Sequence, residues 1–152
     1  MQLILIELNE LNFNYAKEYF DKLKLSTIKD INQRLIKTVS EKNYELLEPW
    51  IQWHSIHTGC SAEDHGIFRL GDVVKTKKIQ IFEELEQNKL KVGSISAMNT
   101  INNLKNPSYF IPDPWTDTKS DNSFFSKIIT SVLRDSVNNN SSGNFKKKNY
   151  FN

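Results

Sequence analysis

Leu3-Ile4-Leu5-Ile6 is an apolar run with no polar residue alternating through it. A strand with one wet face alternates apolar and polar side chains. An unbroken β-branched and leucine run instead suits a strand covered on both faces, as in a parallel sheet. Parallel neighbours need crossover connections, usually helices, so this run points to a chain that alternates strands with helices. A later stretch implies the same. Residues 78–88 read as an amphipathic helix with Ile79, Phe82, Leu85 and Ile81 on its apolar face. Lys91-Val92-Gly93-Ser94-Ile95-Ser96 follows across a short junction and reads as a strand. The expected fold class is α/β, a mostly parallel sheet flanked by helices.

The remaining elements are placed by local signals. Residues 8–14 read as a loop leaving the first strand, with Asn9 or Asn12 as a helix cap. Tyr15, Tyr19, Phe20 and Leu23 have helical spacing and predict a helix over 15–23. Ser26 reads as the N-cap of a second helix reaching Leu35, and 36–39 as a short strand; residues 44–47 fit either pattern. Pro49 suits a first helical turn, where its missing N–H costs nothing. That helix runs to His57 or Thr58, and Gly59 stops it. Residues 61–74 read as loop around Gly66 and Gly71, and 106–121, rich in Pro, Asp and Thr, as an ordered loop. Phe124, Phe125, Ile128, Ile129, Val132 and Leu133 predict a last helix with a core-facing stripe. Beyond Val137 the sequence turns to Asn and Ser, so 1–137 is the expected domain portion and 138–152 a polar linker or frayed tail.

Charge and cysteine content narrow the function classes. With 20 basic and 18 acidic residues, the net charge of +2 gives no reason to expect nucleic acid or a membrane as partner. The one basic cluster, Lys146-Lys147-Lys148, sits in the polar tail. A single cysteine, Cys60, leaves no internal disulfide and no cysteine pair for a metal; a small buried apolar residue is its expected role. The opening apolar run is too short for a signal-peptide core, and no segment has the length of a membrane span. A cytoplasmic protein is the expectation.

Two polar clusters are candidates for chemistry. Glu7-Leu8-Asn9-Glu10-Leu11-Asn12 follows the first expected strand, and ligands of open parallel sheets bind at that end. Its carboxylates and amides suit a hard or borderline divalent cation, or they form a solvated turn that caps a helix. The second cluster runs from Trp50 to Phe68 and gathers all three histidines: His54, His57 and His65. His54 and His57, three apart, share a helix face, yet the spacing is not that of a zinc protease. Hydrogen-bonded structural histidines are the simpler reading.

Taken together, these segments resemble one branch of the alkaline phosphatase superfamily, the type I phosphodiesterase and nucleotide pyrophosphatase branch with its sulfatase-like relatives. Trp53-His54-Ser55-Ile56-His57-Thr58-Gly59 followed by His65-Gly66-Ile67 is similar to that branch's helix, Thr-Gly and His-Gly-Ile turn. Residues 3–13 resemble its first strand and loop, an apolar strand ending in Asp-Gly. The resemblance covers about residues 1–74 and extends less specifically through Ser96.

The resemblance implies a three-layer α/β domain, of which this chain is a first, partial or truncated portion. It also implies hydrolysis of small-molecule phosphate or sulfate esters, with divalent metal ions, zinc among them, at the strand ends. By position the family's nucleophile falls on Pro49, which has no hydroxyl or thiol. The metal-binding aspartate falls on Asn9, an uncharged ligand. Glu7, Glu10 and Glu48 are the acids near the expected cleft, and Gln52 is a further lining candidate. His65 is expected to be structural, and the polar loop from Asp113 to Asp117 either faces the cleft or is a capped surface turn. The expectation is a metal-dependent ester-hydrolase relative with an altered site. The alternatives are a non-catalytic binding relative or a remnant of the same fold.

Overall fold

The computed structural model describes residues 3–23, 34–36, 38 and 41–140. The chain divides into two compact units, Met1–Glu41 and Lys42–Asn152.

In the first unit, α1 (Phe13–Lys22) is the helix among the described residues. Asn12 starts it: its side-chain oxygen accepts the N–H groups of Asn14 (3.0 Å) and Tyr15 (3.2 Å), satisfying two donors that no helical carbonyl reaches. No residue of α1 is buried. The expected strand at Leu3–Ile6 is not formed. Residues 3–8 hold no helix or strand, and those four side chains are 60–82% exposed. A strand exists only through its neighbour, and among the described residues none pairs with this run. The helix expected from Ser26 and the strand expected over 36–39 fall largely outside the described residues.

The second unit is a small α/β domain: a two-stranded parallel sheet flanked by several helices. Residues 44–47 settle as a 3₁₀ turn, Tyr44–Leu46. Then comes α2 (Pro49–Thr58), with proline in its first turn and Gly59 ending it at φ 64°, the left-handed stop that glycine takes without strain. Residues 61–74, expected as loop, contain a single turn of helix, α3 (Ala62–His65), and the start of a 3₁₀ turn, Asp72–Lys75. The next helix, α4 (Ile81–Gln87), is shorter than the pattern predicts. The Glu83 carboxylate accepts the Gln80 N–H at its start (2.6 Å), and Ile79 stays outside, exposed. Strands β1 (Gly93–Ile95) and β2 (Tyr109–Ile111) pair in parallel, Ser94 opposite Phe110. β2 lies inside the stretch expected to be loop. Finally α5 (Phe124–Asn140) packs on β2. Among the described residues no helix is long and apolar enough to cross a membrane.

Two apolar clusters hold this unit together. Phe82 of α4 meets Val92, Ala97, Leu104 and Phe110, with Ile81 and Leu85 against them. Leu46, Ile51 and Ala62 form the second, with Trp50 packed alongside.

α5 contributes little to either cluster, because four of the six residues of its expected stripe are turned to solvent, while Ile128 and Leu133 are half-buried. Phe125 is 75% exposed, and Phe124, Ile129 and Val132 are exposed as well, whereas Ser126 (3%) and Thr130 are buried. The loop before the helix explains this. Its carbonyls and the Asp121 carboxylate need donors, and α5 carries them: Ser126 Oγ donates to Asp121 (2.6 Å), and Arg134 to the carbonyls of Thr116 (3.0 Å) and Thr118 (2.7 Å). Buried polar groups left without partners cost more than an exposed apolar stripe. The fit is imperfect at Thr130, whose hydroxyl is buried without a partner. Thr130→Val keeps the shape and removes that hydroxyl. It is expected to raise stability by about 1 kcal/mol in urea titrations, an unusual sign for a buried substitution.

Asp121 also closes the outer side of β2. Its carboxylate accepts the Phe110 N–H (2.5 Å), and its own N–H donates to the Phe110 carbonyl (3.1 Å). Burial acts to raise its pKa, but bonds from the Ser126 and Ser123 side chains and from the Phe110 and Ser123 N–H groups outweigh it and hold the carboxyl well below the usual range. The native state therefore binds this proton less readily than the unfolded chain. The stability it contributes is complete above about pH 4 and declines as pH falls further. Asp121→Asn is expected to melt earlier at pH 7, with the gap to the parent chain narrowing at pH 3 and below.

Candidate functional site

Both parallel strands end on the same side, and the segments after them converge. β1 leads into 96–100 and β2 into 112–118. Asn99 joins them to the rest of the unit. Its backbone is left-handed at φ 52°, a conformation asparagine tolerates better than most residues. Its N–H donates to Asp113 Oδ2 (3.0 Å), its Nδ2 to the Trp50 carbonyl in the first turn of α2 (2.9 Å), and its Oδ1 accepts the Gly71 N–H (3.0 Å). One buried side chain thus ties the sheet's C-terminal edge to the start of α2 and to the loop at Gly71. That loop lies close to the next one: at Gly71, φ 84°, a Cβ would stand 3.1 Å from the Trp115 carbonyl oxygen.

Asp113 is the anchor on the β2 side and is 1% exposed. Oδ1 accepts the N–H groups of Trp115 (2.9 Å) and Thr116 (3.0 Å), and Oδ2 accepts the Thr116 hydroxyl (2.7 Å) besides Asn99. Four donors occupy one carboxylate, so Asp113 is committed to holding the loop and does not act as a base. Of the two sequence readings of this loop, the capped turn is the one formed, though buried rather than at the surface. Trp115 and Asp117 are its exposed members.

The histidines pack behind this edge, between α2, α3 and α4. His54 is fully buried; its Nε2 meets Thr76 Oγ1 at 3.1 Å, and its ring stands edge-on to His65 at 4.7 Å. Burial first, then the nearness of His65 and His57, lowers its pKa to about 4. His57 stacks on Trp53 and tilts against Phe82. His65 bonds Ser55 Oγ through Nε2 (2.9 Å), while its Nδ1 accepts the Ile67 N–H (3.0 Å). That second bond fixes the tautomer. With Nδ1 accepting, the neutral ring carries its proton on Nε2 and donates it to Ser55. A serine that accepts from the histidine is not being deprotonated by it, so this pair is no nucleophile and base. Burial lowers the His65 pKa, opposed by Glu63.

No family model matches this chain, and no curated protein or solved structure does. The site rests on geometry.

The sequence-predicted residues fall as follows. Pro49 opens α2, directly before Trp50, whose carbonyl Asn99 holds. Glu48 precedes it, exposed, its carbonyl accepting the N–H groups of Ile51 and Gln52. The Gln52 side chain turns back to the Leu46 carbonyl (2.6 Å), supporting the 3₁₀ turn rather than offering itself to a ligand. Glu7, Asn9 and Glu10 belong to the first unit; Asn9 and Glu10 are exposed, and Glu10 has φ 55°. Cys60 is half-buried, its thiol directed to the Thr58 carbonyl. Among the described residues no three His, Cys, Asp or Glu side chains converge to hold a metal ion. Asn99 was missed by sequence reading, and nothing local to it signals a cross-link of 49 residues.

Proposed function

We propose that this chain is an altered-site relative of the phosphate- and sulfate-ester hydrolases of the alkaline phosphatase superfamily, one that binds a small phosphate or sulfate ester without cleaving it by the family's covalent route. The supporting observation is the Asn99 cross-link, which joins the C-terminal edge of a parallel sheet to the first turn of α2. Ligands of open α/β sheets gather at that edge. The positive end of a helix dipole also favours an anion, and in the first turn of α2 the Trp50 N–H is the donor left for one, since Pro49 has none and those of Ile51 and Gln52 bond the Glu48 carbonyl. At that turn stands Pro49 in place of a hydroxyl or thiol. Asp113 is occupied by four donors, and Ser55 accepts from His65 rather than giving up a proton. These points favour binding over turnover.

Calorimetry with p-nitrophenyl phosphate and p-nitrophenyl sulfate, each with and without a chelator, tests the reading. Binding that survives chelation supports it. Release of p-nitrophenol on adding zinc or manganese would favour the metal-dependent hydrolase instead, and heat-silent titrations under every condition would remove both.

A further inference from the structure

The three buried histidines serve neither reading of the ester site, and their arrangement has a consequence of its own. The segment from Ser61 to Thr76 is held to α2 by two imidazole hydrogen bonds, by Trp50 Nε1–H donating to the Phe68 carbonyl (3.2 Å) and by Ala62 packing on Ile51. His54 on α2 reaches Thr76, Ser55 on α2 reaches His65, and the rings of His54 and His65 pack edge to face. All three rings are more than nine-tenths buried. The His54 Nδ1 is buried with no hydrogen-bond partner.

We propose that His54 and His65 form an acid-sensitive latch: uncharged, they hold residues 61–76 against α2, and protonated, they release that segment while the β1–β2 sheet stays folded.

The bonding pattern supplies the sensitivity. A proton on His65 turns Nδ1 from acceptor to donor, facing the Ile67 N–H that now donates to it, so that bond is lost and two donors confront each other. A proton on His54 meets the Thr76 hydroxyl at Nε2 and no hydrogen-bond partner at the buried Nδ1. Each charge also disfavours the other across 4.7 Å. Neither ring takes a proton easily while the segment is closed, and both take one readily once it opens, so release is cooperative.

The charged groups around the cluster act in both directions. On α3, Glu63 and Asp64 favour a charged His65, whereas Lys78, after the 3₁₀ turn, opposes it. Asp64 is held by Ser61, within the segment itself. From α2, Trp53 and His57 face the cluster; from α4, Phe82 faces His57, and Glu83 is turned to Gln80. The sheet is secured by another set of bonds, centred on Asp113 and Asp121, which carry no histidine.

Amide hydrogen exchange followed by NMR from pH 7.5 to 4 on the 152-residue chain tests this, read as protection factors so that the intrinsic pH dependence is removed. The amides of Gly66, Ile67 and Thr76 are expected to lose protection together below pH 6.5, while those of Ser96 and Phe110 keep theirs. Ring-proton titrations of the same sample are expected to show His54 and His65 changing with that loss, over a steeper range than a single proton gives. In His54→Gln the release is expected to move to lower pH. Loss of protection in both sets at once would overturn the latch in favour of global unfolding. Protection retained at every amide to pH 4, or independent ring titrations near pH 6.5 in the closed state, would overturn it outright. If the variant fails to fold, the parent-chain measurements still decide.

Discussion

Asp113→Asn is expected to cost roughly 3–5 kcal/mol of stability, more than any other single-atom exchange in the second unit. The replacement nearly preserves volume, so packing is not the cause. The parent carboxylate accepts four donors, from Asn99, Trp115 and twice from Thr116. An amide has one oxygen to offer, and its NH₂ faces N–H and O–H groups that already donate. At 1% exposure, water does not replace what is lost. Each buried donor left without its acceptor costs about 1–3 kcal/mol, and two such losses account for the total. Urea unfolding followed by tryptophan fluorescence measures it. A loss below 1 kcal/mol would mean the loop finds other partners, and the convergence of the strand ends would lose its anchor. Ester binding is expected to weaken in the same variant under conditions where it remains folded, because Asn99 loses its hold on the β2 side.

The second large effect is a contrast between two phenylalanines. Phe110 is fully buried in β2 against Phe82, Val92, Ala97 and Leu104, whereas Phe125 on α5 is exposed. Phe110→Ala removes a core ring and leaves a cavity, expected to cost roughly 3–5 kcal/mol. Phe125→Ala removes the same atoms from water-exposed surface and is expected to stay within about 0.5 kcal/mol. Paired chemical denaturation curves read the difference directly. Similar losses at both positions would mean that α5 presents its apolar face to the interior after all.

That contrast marks where the sequence was legible and where it was not. α2 was readable in position and both ends, because Pro49 and Gly59 are local signals that act wherever they stand. The presence of α5 was readable from its periodicity, but its facing was not. A repeat of 3.6 residues locates an apolar stripe without saying whether it turns inward. Here Ser126 and Arg134 decide that, by answering acceptors in the preceding loop. β2 was hidden by brevity: four residues between Pro107 and Pro112 leave no run long enough to register as a strand. The opening run failed in the opposite way. Leu3–Ile6 has the composition of a buried strand, but composition states a preference, and only a neighbour converts it into structure.

The candidate site was half visible. The Asp113 turn is announced by its flanking prolines and by Thr116 three residues on. Its reach back to Asn99, 14 residues earlier, is a property of the folded sheet. The histidine cluster was visible as a group, and its structural reading follows once the Ile67 N–H fixes the tautomer of His65.

The carboxylate beside Phe110 gives the sheet a direction of growth. By occupying the donor and acceptor that β2 would offer outward, Asp121 acts as a plug, of the kind that keeps exposed strand edges from recruiting strangers. Any further strand, from this chain or another, must therefore be added alongside Gly93 and Ile95. Neutralising that plug would make the molecule stickier from a side that is otherwise closed.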